Sequence, residues 1–244
     1  MTRPSIGLRE GVVIISALML GLALEVRTGF YGQALISVAI WGLLLHLLAQ
    51  VDMAERRALM ACLVIATAGE IFLSLVWGLY TYRLENIPPF VPPGHVLLLM
   101  LGIALAQRMS KRTAEAILGC AAAYALVAAA TGIDTFALPL LAALAAISFL
   151  MPNHRPLYAS TFVLSLALEL YGTWLGNWTW AREVPVIALV TTNPPGIASA
   201  FYAVLDALVA VTAFLLARRV KEPVLQQAAH DCRIAEPAAV AVRD

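Results

Sequence analysis

The chain has 244 residues, of which 61% are hydrophobic and 13% charged, with a mean hydropathy of +0.85. A soluble domain is about half apolar and a quarter charged, so this composition cannot cover a water-facing surface and identifies an integral membrane protein. Lys plus Arg number 16 and Asp plus Glu 15, a net charge of +1 without the basic excess of a nucleic-acid binder. Cys62, Cys120 and Cys232 are too dispersed for a disulfide framework or a CxxC metal site.

A bilayer core of about 30 Å takes about 20 apolar residues per helix. Eight stretches qualify in chain order: 11–26, 30–50, 57–79, 92–107, 113–130, 133–151, 156–175 and 196–217. The fourth opens on Pro92-Pro93-Gly94 and the sixth carries Pro139, which makes these two the weakest; without one of them the count is seven. The first follows Arg3 and Arg9 in the manner of a signal peptide, but Leu24-Glu25-Val26 is a poor small-residue cleavage site, so it is read as a mature helix. With the N-terminus in the cytoplasm, only Arg27, Arg83 and Arg182 of the 16 basic residues fall outside, and both termini are cytoplasmic. Residues 221–244, beyond Arg218-Arg219-Val220-Lys221, read as a flexible cytoplasmic tail.

The two halves echo one another. At an offset of 98, Arg57-Ala58-Leu59-Met60 aligns with Arg155-Pro156-Leu157-Tyr158, and Gly78, Tyr80, Thr81, Tyr82 and Glu85 align with Gly176, Trp178, Thr179, Trp180 and Glu183. Pro92-Pro93-Gly94 then matches Pro194-Pro195-Gly196. An even number of helices per copy makes the copies parallel in the membrane. The expected fold is therefore an all-α polytopic protein with a 4+4 parallel duplication, residues 1–112 and 113–220.

Each copy carries an acid in a helix, an aromatic turn, and a proline-rich approach to the next helix. The first runs from Glu70 through Trp77, Tyr80, Tyr82 and Arg83 to Pro92-Pro93-Gly94-His95; the second from Glu169 through Trp174, Trp178, Trp180 and Arg182 to Asn193-Pro194-Pro195-Gly196. Trp and Tyr favour the membrane interface, but period-two spacing at 80/82 and 178/180 places each pair of rings on one side of an extended segment, suited to a lid over a cavity. Glu70, Glu169 and Asp206 have no Lys or Arg within their own spans, and intramembrane acids of this kind are functional candidates or hydrogen-bonding braces for the loops. Asp206 faces Ala104 in the alignment and so breaks the symmetry. His95, replaced by Ile197 in the second copy, is an interfacial hydrogen-bonder, a general acid/base or a metal ligand. No HExxH, Cys/His cluster, Walker loop or GxSxG is present, and no metal is expected.

Glu70 followed by Gly78-Leu79-Tyr80-Thr81-Tyr82 and a proline-rich helix approach resembles the membrane carotenoid-biosynthesis proteins of the carotenoid hydratase type; Glu169 with Gly176-Asn177-Trp178-Thr179-Trp180 is a looser echo. The likeness covers about 30 residues per half. It implies protonation followed by hydration or cyclisation of an alkene in a long isoprenoid lipid, by buried carboxylic acids and without a cofactor. The acids would be Glu70, Glu169 and Asp206, with His95 a base for water and the rings of Tyr80, Tyr82, Trp178 and Trp180 a cation-stabilising wall. Trp77, Arg83, Trp174, Arg182 and Asn193 complete the expected binding surface. The expected partners are membrane lipids and a hydrophobic small molecule, with a further membrane protein or a second copy also open. Two other readings stand beside a lyase or cyclase: a proton-coupled transporter, and a non-catalytic subunit or assembly factor of a membrane complex.

Overall fold

The computed structural model describes residues 6–234, with side chains as far as residue 218. Among the described residues each apolar stretch forms a helix: α1 (Leu8–Glu25), α2 (Phe30–Leu48), α3 (Met53–Glu70), α4 (Val91–Ala106), α5 (Lys111–Ala130), α6 (Ala137–Leu150), α7 (Arg155–Leu175) and α8 (Ala200–Ile234). Local chemistry sets their starts. The Asp52 carboxylate accepts the Glu55 N–H at 2.9 Å to open α3, and the Ser110 hydroxyl accepts the Thr113 N–H at 3.0 Å to open α5. Proline lies in the first turn of α4 and α7, where no intrahelical N–H is needed. The segment expected as a tail falls partly in the last turns of α8 and partly, from residue 235, outside the described residues.

Four helical segments are long and apolar enough to cross a membrane: Phe30–Leu48, Met53–Val76, Lys111–Ala130 and Ala200–Arg218. The expectation of eight spans is met by eight helices, only four of which qualify alone. The 18 residues of α1 include Arg9, Glu10 and Glu25. α4 has 16 residues, about 24 Å at the helical rise, short of the bilayer core. α6 has 14 residues and meets α7 at 107° through the 3-10 turn Pro152–His154; the two qualify only as a pair.

The central helices are α3, α4, α7 and α8: α3 packs on α4 and α8, and α7 on the same two. Small residues let α4 and α7 approach. The Thr161 methyl occupies the space a side chain at Gly102 would take, and the Ser160 hydroxyl donates to the Gly102 carbonyl at 2.8 Å. The flanking helices are placed differently, for α5 lies along α7 whereas α1 lies against α4 and α7.

Beyond Glu70 the third helix continues as a π-helical turn, Ile71–Val76, before Gly78 at φ 73° turns the chain into β1 (Tyr80–Tyr82). α7 ends at Gly176, φ 87°, and leads to β2 (Trp178–Trp180). Glycine takes these left-handed positions without the Cβ penalty. The extended segments expected to form a lid pair antiparallel with each other: Tyr80 opposite Trp180, Thr81 opposite Thr179 and Tyr82 opposite Trp178. Flanking bonds extend the ribbon, Arg83 N–H to Asn177 O and Ala181 N–H to Leu79 O, both 2.9 Å.

A buried ion pair ties α1 to this ribbon. The Glu25 carboxylate, 1% exposed, accepts from Arg83 at 2.8 Å and from the Asn177 amide at 2.7 Å. The same guanidinium donates to the carbonyls of Glu25 and Thr28, stopping the end of α1. Taking one partner from a buried pair leaves an uncompensated charge. Arg83→Met is expected to lower stability by about 3 kcal/mol in denaturant unfolding in detergent, and adding Glu25→Leu to recover most of the loss.

Candidate active site

Glu70 and Glu169 both stand where a helix gives way to the ribbon. Glu70 Oε2 accepts from the Tyr80 hydroxyl at 2.8 Å and the Tyr82 hydroxyl at 2.6 Å, while His95 Nε2 lies 2.9 Å from Oε1. Glu169 Oε2 accepts from the indoles of Trp178 at 2.9 Å and Trp180 at 3.1 Å, and Oε1 accepts from the Tyr202 hydroxyl at 3.0 Å. Alternation along each strand explains the pairing, because residues two apart share a face and both rings reach the carboxyl of their own half. The acids do brace the loops, but through side chains rather than backbone N–H groups.

The rings join the two carboxyls. Tyr80 lies 4.7 Å from Trp180 between centroids, Tyr82 lies 6.1 Å from Trp178, and His95 meets Tyr202 edge-on at 5.0 Å. Glu70, Glu169 and these rings line one cavity of about 350 Å³. Its remaining walls are apolar, with Leu18 and Gly21 of α1, Ile40 of α2, Leu98 of α4 and Leu205 of α8 among them. The two sites differ in chemistry. Indole N–H groups only donate, so Glu169 Oε2 is held as an acceptor. Glu70 Oε1 and His95 Nε2 face one another across a single hydrogen that either atom can carry.

Eight of the expected residues therefore converge: Glu70, Glu169, His95, Trp77, Tyr80, Tyr82, Trp178 and Trp180 all line the cavity. Five do not. Asp206 is buried between helices beside Thr161 of α7 and Cys62 of α3, with its Oδ2 unpartnered among the described residues; Leu205 and Leu208 on either side of it line the cavity, so it lies at the right depth on a different face of α8. Arg83 is committed to Glu25. Trp174, 78% exposed, points away from the cavity, as an interfacial ring does. Asn193 Oδ1 accepts the Trp180 N–H at 2.9 Å and so positions β2, and Arg182 contributes its carbonyl to the following loop by accepting from Thr191 N–H at 2.9 Å. Tyr202 was missed in sequence although it lies one helical turn before Asp206; Glu25 and Asn177 were missed because their partner is distant in the chain. Among the described residues no group of three or more His, Cys, Asp or Glu is placed to hold a metal ion.

No protein-family model, curated protein or solved structure matches the chain.

Gly172 of α7 lies under the Trp178 indole, which fills the space of a Cβ. Gly172→Ala is expected to push that ring off Glu169 and cost about 1–3 kcal/mol, read as a lower unfolding midpoint together with a shift in tryptophan emission.

Proposed function

We propose that this chain is a multi-pass protein of the cell membrane, a 4+4 parallel duplication with cytoplasmic termini, and that its cavity protonates a carbon–carbon double bond of an isoprenoid or other lipid, leading to hydration or cyclisation. The observation that carries this reading is that carboxyls from the two halves meet on a single, otherwise apolar cavity. Equivalent contacts in each half support the duplication. Arg56 Nε donates to Leu48 O at 2.9 Å and Arg155 Nε to Ser148 O at 3.0 Å, so Arg56 rather than Arg57 is the counterpart of Arg155. Those arginines are 99 residues apart, as are Glu70 and Glu169, whereas Tyr80 and Trp178 are 98 apart. The first half thus holds one extra residue between acid and strand. The π-helical turn Ile71–Val76 accommodates it, since a π-turn is an α-turn with a residue inserted.

The proton shared by Glu70 and His95 passes to one alkene carbon, the π pair forming the new C–H bond and leaving a cation on the neighbouring carbon. The faces of Tyr80, Tyr82, Trp178 and Trp180 stabilise that charge through their quadrupoles. In hydration a water oxygen adds to the cation and its surplus proton goes to the Glu169 carboxylate. In cyclisation a second double bond of the same chain adds, and Glu169 removes a proton from the carbon beside the resulting cation. Either way one proton enters at Glu70 and one leaves at Glu169, so the protein needs only proton exchange to reset. The resemblance to carotenoid hydratases, a helix Glu70 followed eight residues later by Gly78-Leu79-Tyr80-Thr81-Tyr82, supports an isoprenoid as the lipid.

Incubation of the protein in bilayers with an acyclic carotenoid in D2O is expected to yield product carrying one non-exchangeable deuterium, seen by mass spectrometry. Glu70→Gln and Glu169→Gln are each expected to slow label uptake by roughly a hundredfold or more. Absence of label from wild type, or uptake indifferent to both substitutions in folded protein, overturns the reading.

A further inference from the structure

The cavity is closed above and open at the side. Leu79, Tyr80, Tyr82 and Trp180 at the ribbon are buried, as is the lining residue Phe90 just before α4. Two lining residues are exposed instead: Phe72, 52% exposed on the π-helical turn, and Leu208, 49% exposed in α8. Each belongs to a segment apolar and long enough to cross a membrane. Ile65, Gly69 and Phe72 follow helical spacing along one face of the third helix, and Leu205 and Leu208 do so along α8, so two apolar stripes run from the acids to this side opening. A Cβ at Gly69 meets nothing within 4 Å, which marks free space beside Glu70. None of the lining residues is Lys or Arg. A phosphate or carboxylate headgroup therefore has no cation to meet inside, although charged lipids are normally held by one.

Size decides how much of a ligand enters. About 350 Å³ is at the small end of ligand pockets. A long hydrocarbon does not fit whole.

We propose that the cavity is reached sideways from the bilayer through the mouth between Phe72 and Leu208, by a long uncharged hydrocarbon chain that puts one end against Glu70 and Glu169 and leaves the rest in lipid. This rests on the lipid-site reading above and adds to it the route and the class of substrate, a neutral chain recognised by its terminus. The difference between the halves supplies the opening. In the second half α5 lies along α7, whereas in the first α1 lies against α4 and α7 and contributes Ala17, Leu18 and Gly21 to the cavity wall. The groove beside α3 is consequently lined rather than filled. The π-helical turn, which carries Phe72 to the mouth while the helix before it holds Glu70 at the inner end, sits where the two must be uncoupled from a regular α-helical period.

The test uses the full chain in phosphatidylcholine nanodiscs containing squalene, with squalene per protein measured by mass spectrometry after detergent extraction. Wild type is expected to retain squalene. Leu208→Trp and Gly69→Trp, which add bulk to opposite stripes, are each expected to lower retention roughly tenfold, about 1.4 kcal/mol. Leu215→Trp places the same bulk two turns along α8, on an exposed residue off the mouth, and is expected to retain squalene as wild type does. Circular dichroism establishes that each variant is folded. Retention unchanged in both mouth variants overturns the lateral route while leaving the lipid site standing; equal loss in Leu215→Trp also overturns it. Wild type that holds no squalene overturns the neutral-chain assignment, and deuterium uptake in the carotenoid experiment then decides separately whether the acid site itself survives.

Discussion

The short ribbon in which Tyr80–Tyr82 pairs with Trp178–Trp180 is the constraint on which the candidate site depends. Two three-residue strands are too short to be stable alone. They persist because every ring on the buried face is anchored to a carboxyl, and each carboxyl is solvated by rings: Glu70 by two phenols and an imidazole, Glu169 by two indoles and a phenol. A buried acid without such donors is costly, and a loose non-helical segment at membrane depth leaves backbone groups unpaired. Each defect is the remedy for the other. Central pairing of Thr81 with Thr179 then makes the ribbon a further junction between the two halves, beside the packing of α3 on α8 and of α4 on α7.

Buried charge is handled in three different ways. Glu25 is neutralised by Arg83 and further bonded by Asn177 and Gln33, which fastens α1 to the ribbon from below. Glu70 and Glu169 are bonded to polar rings and still border a cavity, so their partners leave them accessible to a ligand. Asp206 is enclosed among helices with one oxygen unpartnered in the described structure. Only the second arrangement sets an acid against open space.

The departures from symmetry are as informative as the symmetry. His95 and Tyr202 occupy opposite sides of an edge-on ring contact, giving one acid an imidazole and the other a phenol. Two carboxyls in different surroundings divide into donor and acceptor more readily than two identical ones. The first half has one residue more between its acid and its strand than the second, and the π-helical turn lies in that interval.

Much of this was legible in one dimension. Hydropathy and punctuation by Pro, Gly and Arg placed eight helices, most with limits within a few residues, because apolar burial dictates composition locally; α8 runs 17 residues past its expected end at 217, into the segment read as a tail, and α3 gives way to the π-helical turn at Ile71. Alternation at 80/82 and 178/180 showed which rings lie together, and the absence of Lys or Arg from their spans marked Glu70 and Glu169, along with Asp206, as candidate acids. Partners contributed by distant segments were not legible: Arg83 was read as a binding residue because nothing near it in sequence announces Glu25, and Asp206 was read as an active acid because depth along a helix does not say which face looks into a void. Cross-pairing of the strands and the single cavity lined by both acids were decided by how the helices pack, a matter of shape and distance that composition and periodicity do not encode.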